Sequence, residues 1–450
     1  MPPLRLYRAA TLLLWALAVW NSIACRGLFW DGASFLVNVV DFGRFYDFYY
    51  PARAHVGWVT QLPLLAAVHL GVSDMHVLAM IQSAGLFALP AGLYHLALAR
   101  TRRDPVLLSI VLAAIAVVYL PTSFFIIGEY NAAYAAVTAA MAVVATADGL
   151  RRRDGMILLL LLGALCLRSY EAMVYLGPLV AMAILWRTWR RQGRVDGIAR
   201  LLGTVAALAF IGGALVSGIT MVTYWNHPHF ALVRQAVTDF WQNLQFMIPL
   251  VGLAIFTVLC VATPRWLLSR APVLLIGLAA VLLVVVPWVR EIRPQALLFP
   301  PSHYVARTAA GCVLWAMLLA MWACCLFRHS PLALFACLRR PEVGRRIATA
   351  MIVLVVAAAV PDLWLTRLWG GYLDYVRSVV TAQTGLIPEQ SLPMDAWPQS
   401  LFNQDWTQPA LSAALRRSPD DAIIVADPRS GSQFDPACGT LPRLIGYRWP

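Results

Sequence analysis

Runs of about twenty apolar residues recur along the chain, separated by short arginine clusters, and this pattern decides most of what the sequence can become. A helix needs roughly 17–25 such residues to cross a ~30 Å hydrocarbon core, so each run is a candidate membrane span. Eleven spans are expected, beginning near residues 7, 75, 106, 131, 156, 172, 199, 247, 272, 308 and 347. Composition agrees: at 60% hydrophobic and 13% charged, 450 residues carry too few ionisable groups to coat a soluble globule of that length. The expected fold class is an all-α polytopic membrane protein of about eleven transmembrane helices. A long first outer loop and a small outer-side C-terminal region complete it.

The arginines test that assignment. All 35 basic residues are arginine, and the formal charge of +13 could suggest nucleic acid. Their placement between apolar runs points instead to topology, so no nucleic-acid partner is expected. With the N-terminus cytoplasmic, twenty arginines fall on the inside, eight in the opposite loops and seven in the tail after the last span. This asymmetry predicts the N-terminus in and the C-terminus out. The opening segment, MPPLRLYRAATLLLWALAVWNSIAC, has no clear cleavage site and reads as a retained first helix.

The expected division is a transmembrane domain over 1–366 and an outer tail or cap over 367–450. The first outer loop runs from 26 to 74, and within it VGWVTQLPLLAAVHLGV, residues 56–72, reads as an interfacial or re-entrant helix. If that stretch spanned, the arginine clusters at 100 and 151 would move outside. Residues 225–246 place Phe230, Val233, Val237, Phe240, Trp241 and Leu244 at helical spacing, predicting an amphipathic surface helix. A further outer loop covers 289–307. The tail carries an amphipathic stretch, YLDYVRSVV, and a strand-like run, AIIVAD. Most cysteines lie in apolar spans without ligand-like spacing; only Cys25 and Cys438 could meet an oxidising side.

In so apolar a chain, polar residues outside the hydrocarbon are the first places to look for chemistry. Asp31, in FWDGASF, directly follows the first span and is either a helix cap or a carboxylate poised at the interface. Asp41 and Asp47 lie further along the loop and read as solvated or paired with Arg44 and Arg53. Glu171, in RSYE, interrupts an apolar stretch, where a charge near the bilayer costs on the order of 2.5–3.5 kcal/mol unless paired or facing water. Arg168, three residues earlier, is the obvious partner; the alternative is a carboxylate facing a cavity shared with Asp31. Glu129, in GEYN, sits at the same level or is merely part of a turn. His303, Tyr304 and Arg307 begin the tenth span, either as an anion site at a helix start or as an interfacial anchor belt. His227 and His229 lack the partners a metal site requires. No Walker loop, dinucleotide glycine motif, HExxH or nucleophile elbow is present.

FWDGASFLVNVVD in a long first outer loop, GEYN and RSYE at later outer turns, many spans and an outer tail together resemble the GT-C superfamily of integral-membrane glycosyltransferases. The resemblance implies transfer of a hexosyl or pentosyl group from a polyprenyl-phosphate-linked donor to a glycan, lipid or protein acceptor. It implies Asp31 as base, with Glu171 and Glu129 orienting acceptor or base and Asp41 and Arg168 in support. Arg53, Arg293 and Arg307, helped by His303 and Tyr304, would hold the donor phosphate. Asp31 has no adjacent acidic partner in the first outer loop, the next acid being Asp41, so a metal-independent inverting reaction without cofactor is expected. The expected setting is a bacterial inner membrane. Two alternatives are a transporter or flippase of lipid-linked saccharides and a non-catalytic assembly factor.

Overall fold

The computed structural model describes residues 3–46, 51–123, 129–146, 153–189, 197–225, 241–289, 303–394, 398–403, 407–426, 444 and 446–450. The protein is built almost entirely of helices: α1 (Pro3–Ile23), α2 (Asp31–Phe42), α3 (Ala54–His69), α4 (Met75–Thr101), α5 (Pro105–Ala114), α6 (Glu129–Ala145), α7 (Arg153–Cys166), α8 (Met173–Trp189), α9 (Gly197–Thr223), α10 (Leu244–Ala262), α11 (Ala271–Val289), α12 (His303–Leu326), α13 (Ala333–Leu338), α14 (Pro341–Thr381) and α15 (Gln408–Leu415). Each expected span coincides with one of these. Among the described residues, eight helices are long and apolar enough to cross a membrane; α7 and α8 are apolar but shorter. The protein is thus a multi-pass helical membrane protein.

Local chemistry explains several boundaries. Asp104 accepts from the backbone N–H of Val106 and Leu107 at 3.1 and 3.2 Å and Pro105 follows it, so α5 starts there. Asn243 caps α10 through Phe246 N at 3.0 Å. The end of the amphipathic stretch expected over 225–246 therefore already belongs to a span; residues 226–240 lie outside the described residues.

Contacts divide the chain into two compact units. The first comprises Met1–Trp15, Tyr49–Val56 and Pro90–Asp362. At its centre is α6, buried along its whole length. Its many alanines let neighbours approach closely, as helix packing in lipid requires. Beyond α5 the chain takes one π turn, Ile115–Tyr119, then a 3₁₀ turn, Leu120–Thr122. Such switches strand backbone groups, and here Gln245 Nε2 donates to Pro121 O at 3.2 Å.

The second unit comprises Ala16–Phe48, Gly57–Leu89 and Leu363–Pro450. Here the tail packs on the first loop. Phe29 meets Trp369 and Phe402 at ring separations of 5.5 and 6.4 Å, and Tyr372 packs on Phe402 at 5.4 Å. At the C-terminus Met75 N donates to Arg448 O at 2.9 Å, and His76 lies against Trp449. The strand-like run forms β2 (Ile423–Val425), paired in parallel with β1 (Leu386–Pro388). The connection between parallel strands needs a crossover, and buried α15 lies within it.

α14 runs unbroken from Pro341 to Thr381, past residues 366/367 where the sequence turns polar. Its 41 residues give about 60 Å at ~1.5 Å per residue, twice the hydrocarbon thickness. YLDYVRSVV is polar enough to leave the bilayer and helical enough not to end the helix.

Candidate functional site

The break between α7 and α8 organises the polar residues of the first unit. Its carbonyls are tied down from neighbouring segments: His55 N donates to Arg168 O at 2.9 Å, and Ser217 Oγ donates to Tyr170 O at 2.9 Å. Backbone near the bilayer needs such partners wherever a helix stops. Tyr170 is thereby held among Tyr130 and Tyr134, with ring separations of 5.7 and 6.0 Å.

Glu171 follows, and its ion-pair partner is Arg53, not Arg168. Arg53 Nη2 and Nε both reach Oε1, at 2.8 and 2.9 Å. The Arg53 guanidinium also lies over the Tyr170 ring at 5.6 Å. Burial by itself would lower the Arg53 pKa, but the Glu171 carboxylate and the charge of Glu129 drive it upward, fixing the cation. Arg53, expected on a donor phosphate, thus has two donors committed to a carboxylate. Glu171 Oε2 is buried and has no hydrogen-bond partner among the described residues.

Glu129 and Arg307 complete the group. Glu129 opens α6 and is buried, not part of an open turn. Arg307 stands one turn into α12, where its carbonyl accepts from Tyr134 OH at 2.9 Å. Burial pushes the Tyr170 hydroxyl's pKa up, the positive charge of Arg307 opposes this, and Glu171, Arg53 and Glu129 also act on it. Four residues singled out in the sequence, Arg53, Glu129, Glu171 and Arg307, therefore act electrostatically on one tyrosine. The arrangement offers guanidinium charge to an anion and a carboxylate oxygen to a hydroxyl donor.

The chain matches no family model, no curated protein and no solved structure.

Asp31 belongs to the second unit. It is the first residue of α2, and the preceding Trp30 takes the cap position with φ 48°. Its carboxylate is exposed, on a tightly built platform. A Cβ on Gly32 would lie 1.8 Å from Gly27 O, and one on Gly27 would lie 2.6 Å from Ser83 Oγ. Ser83 Oγ accepts from Gly27 N at 2.8 Å, and Gln82 Nε2 donates to Gly32 O at 3.1 Å. The FWDG turn is thus fixed to α4 by backbone contact, which sets where Asp31 projects.

Other candidates separate from these groups. Asp41 is exposed near the end of α2, in keeping with a solvated side chain. Arg168 contributes its carbonyl to the His55 contact. Asp47, His227, His229, Arg293 and Cys438 lie outside the described residues, as do the side chains of His303 and Tyr304. Cys25 is a buried free thiol.

Among the described residues, two buried charged side chains escaped the sequence reading. Arg26, counted with the loop arginines, is only 1% exposed; its Nη1 donates to Thr366 Oγ1 at 3.1 Å and its guanidinium faces Phe87. In the first unit Asp362, inside α14, is also 1% exposed and accepts from Ser123 Oγ at 2.6 Å. The available signal for Asp362 was an acid beside Pro361 in the apolar run AAAVPDLWL.

Proposed function

We propose that this protein is a membrane glycosyltransferase of the GT-C kind, moving a sugar from a polyprenyl-phosphate donor to a glycan, lipid or protein acceptor. The observation that carries this reading is the Arg53–Glu171 ion pair against Tyr170 at the break between two apolar helices, with Glu129 and Arg307 near enough to act on the tyrosine electrostatically. A lipid-linked donor keeps its tail in the bilayer and its phosphate at the edge, so anion-binding charge must stand where apolar helices end.

In the proposed reaction the acceptor hydroxyl attacks the anomeric carbon as the bond from that carbon to the phosphate oxygen breaks. The electron pair leaves with the lipid phosphate. A carboxylate takes the acceptor proton, as in inverting glycosidases, and Asp31 is assigned this role. Glu171 and Glu129 orient the acceptor. Arg307 stabilises the departing phosphate, whereas Arg53 fixes Glu171. No divalent metal enters this scheme.

The arginine bias supports a cytoplasmic N-terminus and a periplasmic tail in a bacterial inner membrane. Packing of the tail on residues 73–76 fits their common outer side. The test is sugar transfer by purified protein in nanodiscs supplied with polyprenyl-phosphate sugars. Asp31→Asn and Glu171→Gln are expected to lose activity at least about 100-fold. Unchanged turnover in Asp31→Asn at equal expression would remove the base assignment.

Buried Asp362 gives a flippase reading its one specific support, because acids inside spans often mark a translocation path. Reconstituted protein that moved labelled lipid-linked sugar between leaflets, and lost this in Asp362→Asn without transferring sugar, would favour that reading.

A further inference from the structure

At the arginine-rich ends of the first unit's helices lies a cavity of about 240 Å³. It is framed by the start of α5, the ends of α6, α8 and α12, and the connection through α13 to α14. Four arginines line it: Arg103, Arg187, Arg328 and Arg339. The one acid among the described lining residues, Asp104, already accepts two backbone N–H groups as the α5 cap and pairs with Arg328 Nη2 at 3.7 Å. The described lining thus carries more guanidinium groups than carboxylates. Its remaining wall is apolar, including Phe335 and Leu338 from α13.

A free anion in water needs charge but no greasy wall. A phospholipid headgroup needs both, and needs them where apolar helices end, at headgroup depth. Basic pockets between helix ends are suited to anionic headgroups for this reason, since guanidinium forks match phosphate oxygens. The volume far exceeds the ~30 Å³ share of one water, leaving room for a phosphate with part of its glycerol. We propose that this cavity binds the phosphate of an anionic phospholipid, separately from the cluster around Tyr170.

The experiment is native mass spectrometry of the delipidated full chain in detergent, titrated with phosphatidylglycerol, with phosphatidylethanolamine, or with inorganic phosphate as competitor. Phosphatidylglycerol should stay bound to the wild type through activation that strips phosphatidylethanolamine. Arg187→Gln combined with Arg328→Gln should weaken its binding at least about tenfold. Arg265→Gln, an exposed arginine outside the cavity, should behave as wild type. Should the double variant not fold, Arg103→Gln and Arg339→Gln, both at exposed positions, are each expected to weaken binding about two- to fivefold. Equal retention of the two lipids, or variants that bind like wild type, would overturn the proposal. Full displacement by submillimolar inorganic phosphate would assign the cavity to a soluble anion instead.

Discussion

Arg53 and Glu171, 118 residues apart, meet with two guanidinium nitrogens on one carboxylate oxygen, and both side chains are less than one-fifth exposed. A pair this dry is costly to break from one side, because the remaining charge keeps its desolvation penalty. Arg53→Gln and Glu171→Gln are each expected to cost about 2–3 kcal/mol, and the double variant little more than either single one. Denaturant titration in micelles, arranged as a double-mutant cycle, measures this. Additive losses would mean that the two side chains are not coupled.

Gly27→Ala and Gly32→Ala are expected to disrupt the FWDG turn. In each the new methyl would lie under 3 Å from fixed atoms, Gly32's against Gly27 O and Gly27's against the Ser83 backbone. Overpacking of this kind typically costs ~1–3 kcal/mol or more. Gly370→Ala gives the contrast: nothing lies within 4 Å of its new Cβ, and alanine favours the α14 interior by about 0.5–1 kcal/mol. Thermal unfolding of the three variants should show two losses and one gain.

The cysteine chemistry is equally specific. Burial pushes the Cys25 thiol up to about 12. At pH 8 its thiolate fraction is then on the order of 10⁻⁴, and the thiolate is the species that alkylates. N-ethylmaleimide should leave Cys25 unmodified in the folded protein, and label it in denaturant, by peptide mass mapping. Labelling in the folded state near neutral pH would place the thiol in water.

Hydropathy is a local property, so the helices were legible wherever a run of residues had to be apolar. The parallel strand at 423–425 was legible for the same reason, as was the break at RSYE, where charge interrupts an apolar run. Long-range pairing was not. Arg168 was the natural partner of Glu171 by spacing, and nothing local marks Arg53 as the residue folded against it. Arg26 shows the converse error: an arginine beside a span reads as a loop charge, yet Thr366 and Phe87, far along the chain, receive it in the interior. The length of α14 was not legible either, because leaving the bilayer and ending a helix are separate events that hydropathy alone does not distinguish.

Arg307 carries the sharpest test of the proposed reaction. A polyprenyl-phosphate sugar is a phosphodiester with one negative charge, and transfer of its sugar leaves a monoester that gains negative charge as the bond breaks. A guanidinium at that phosphate therefore contributes more to the transition state than to the bound donor. Arg307→Gln is expected to raise the donor KM and lower kcat together, with kcat/KM down about 10–150-fold for a lost charge-assisted bond of ~1.5–3 kcal/mol. Arg307→Lys should recover part of this, since it restores the charge but not the fork. Donor titrations with each variant separate the cases: a KM effect alone would make Arg307 a ground-state anchor, and no effect would move the phosphate elsewhere.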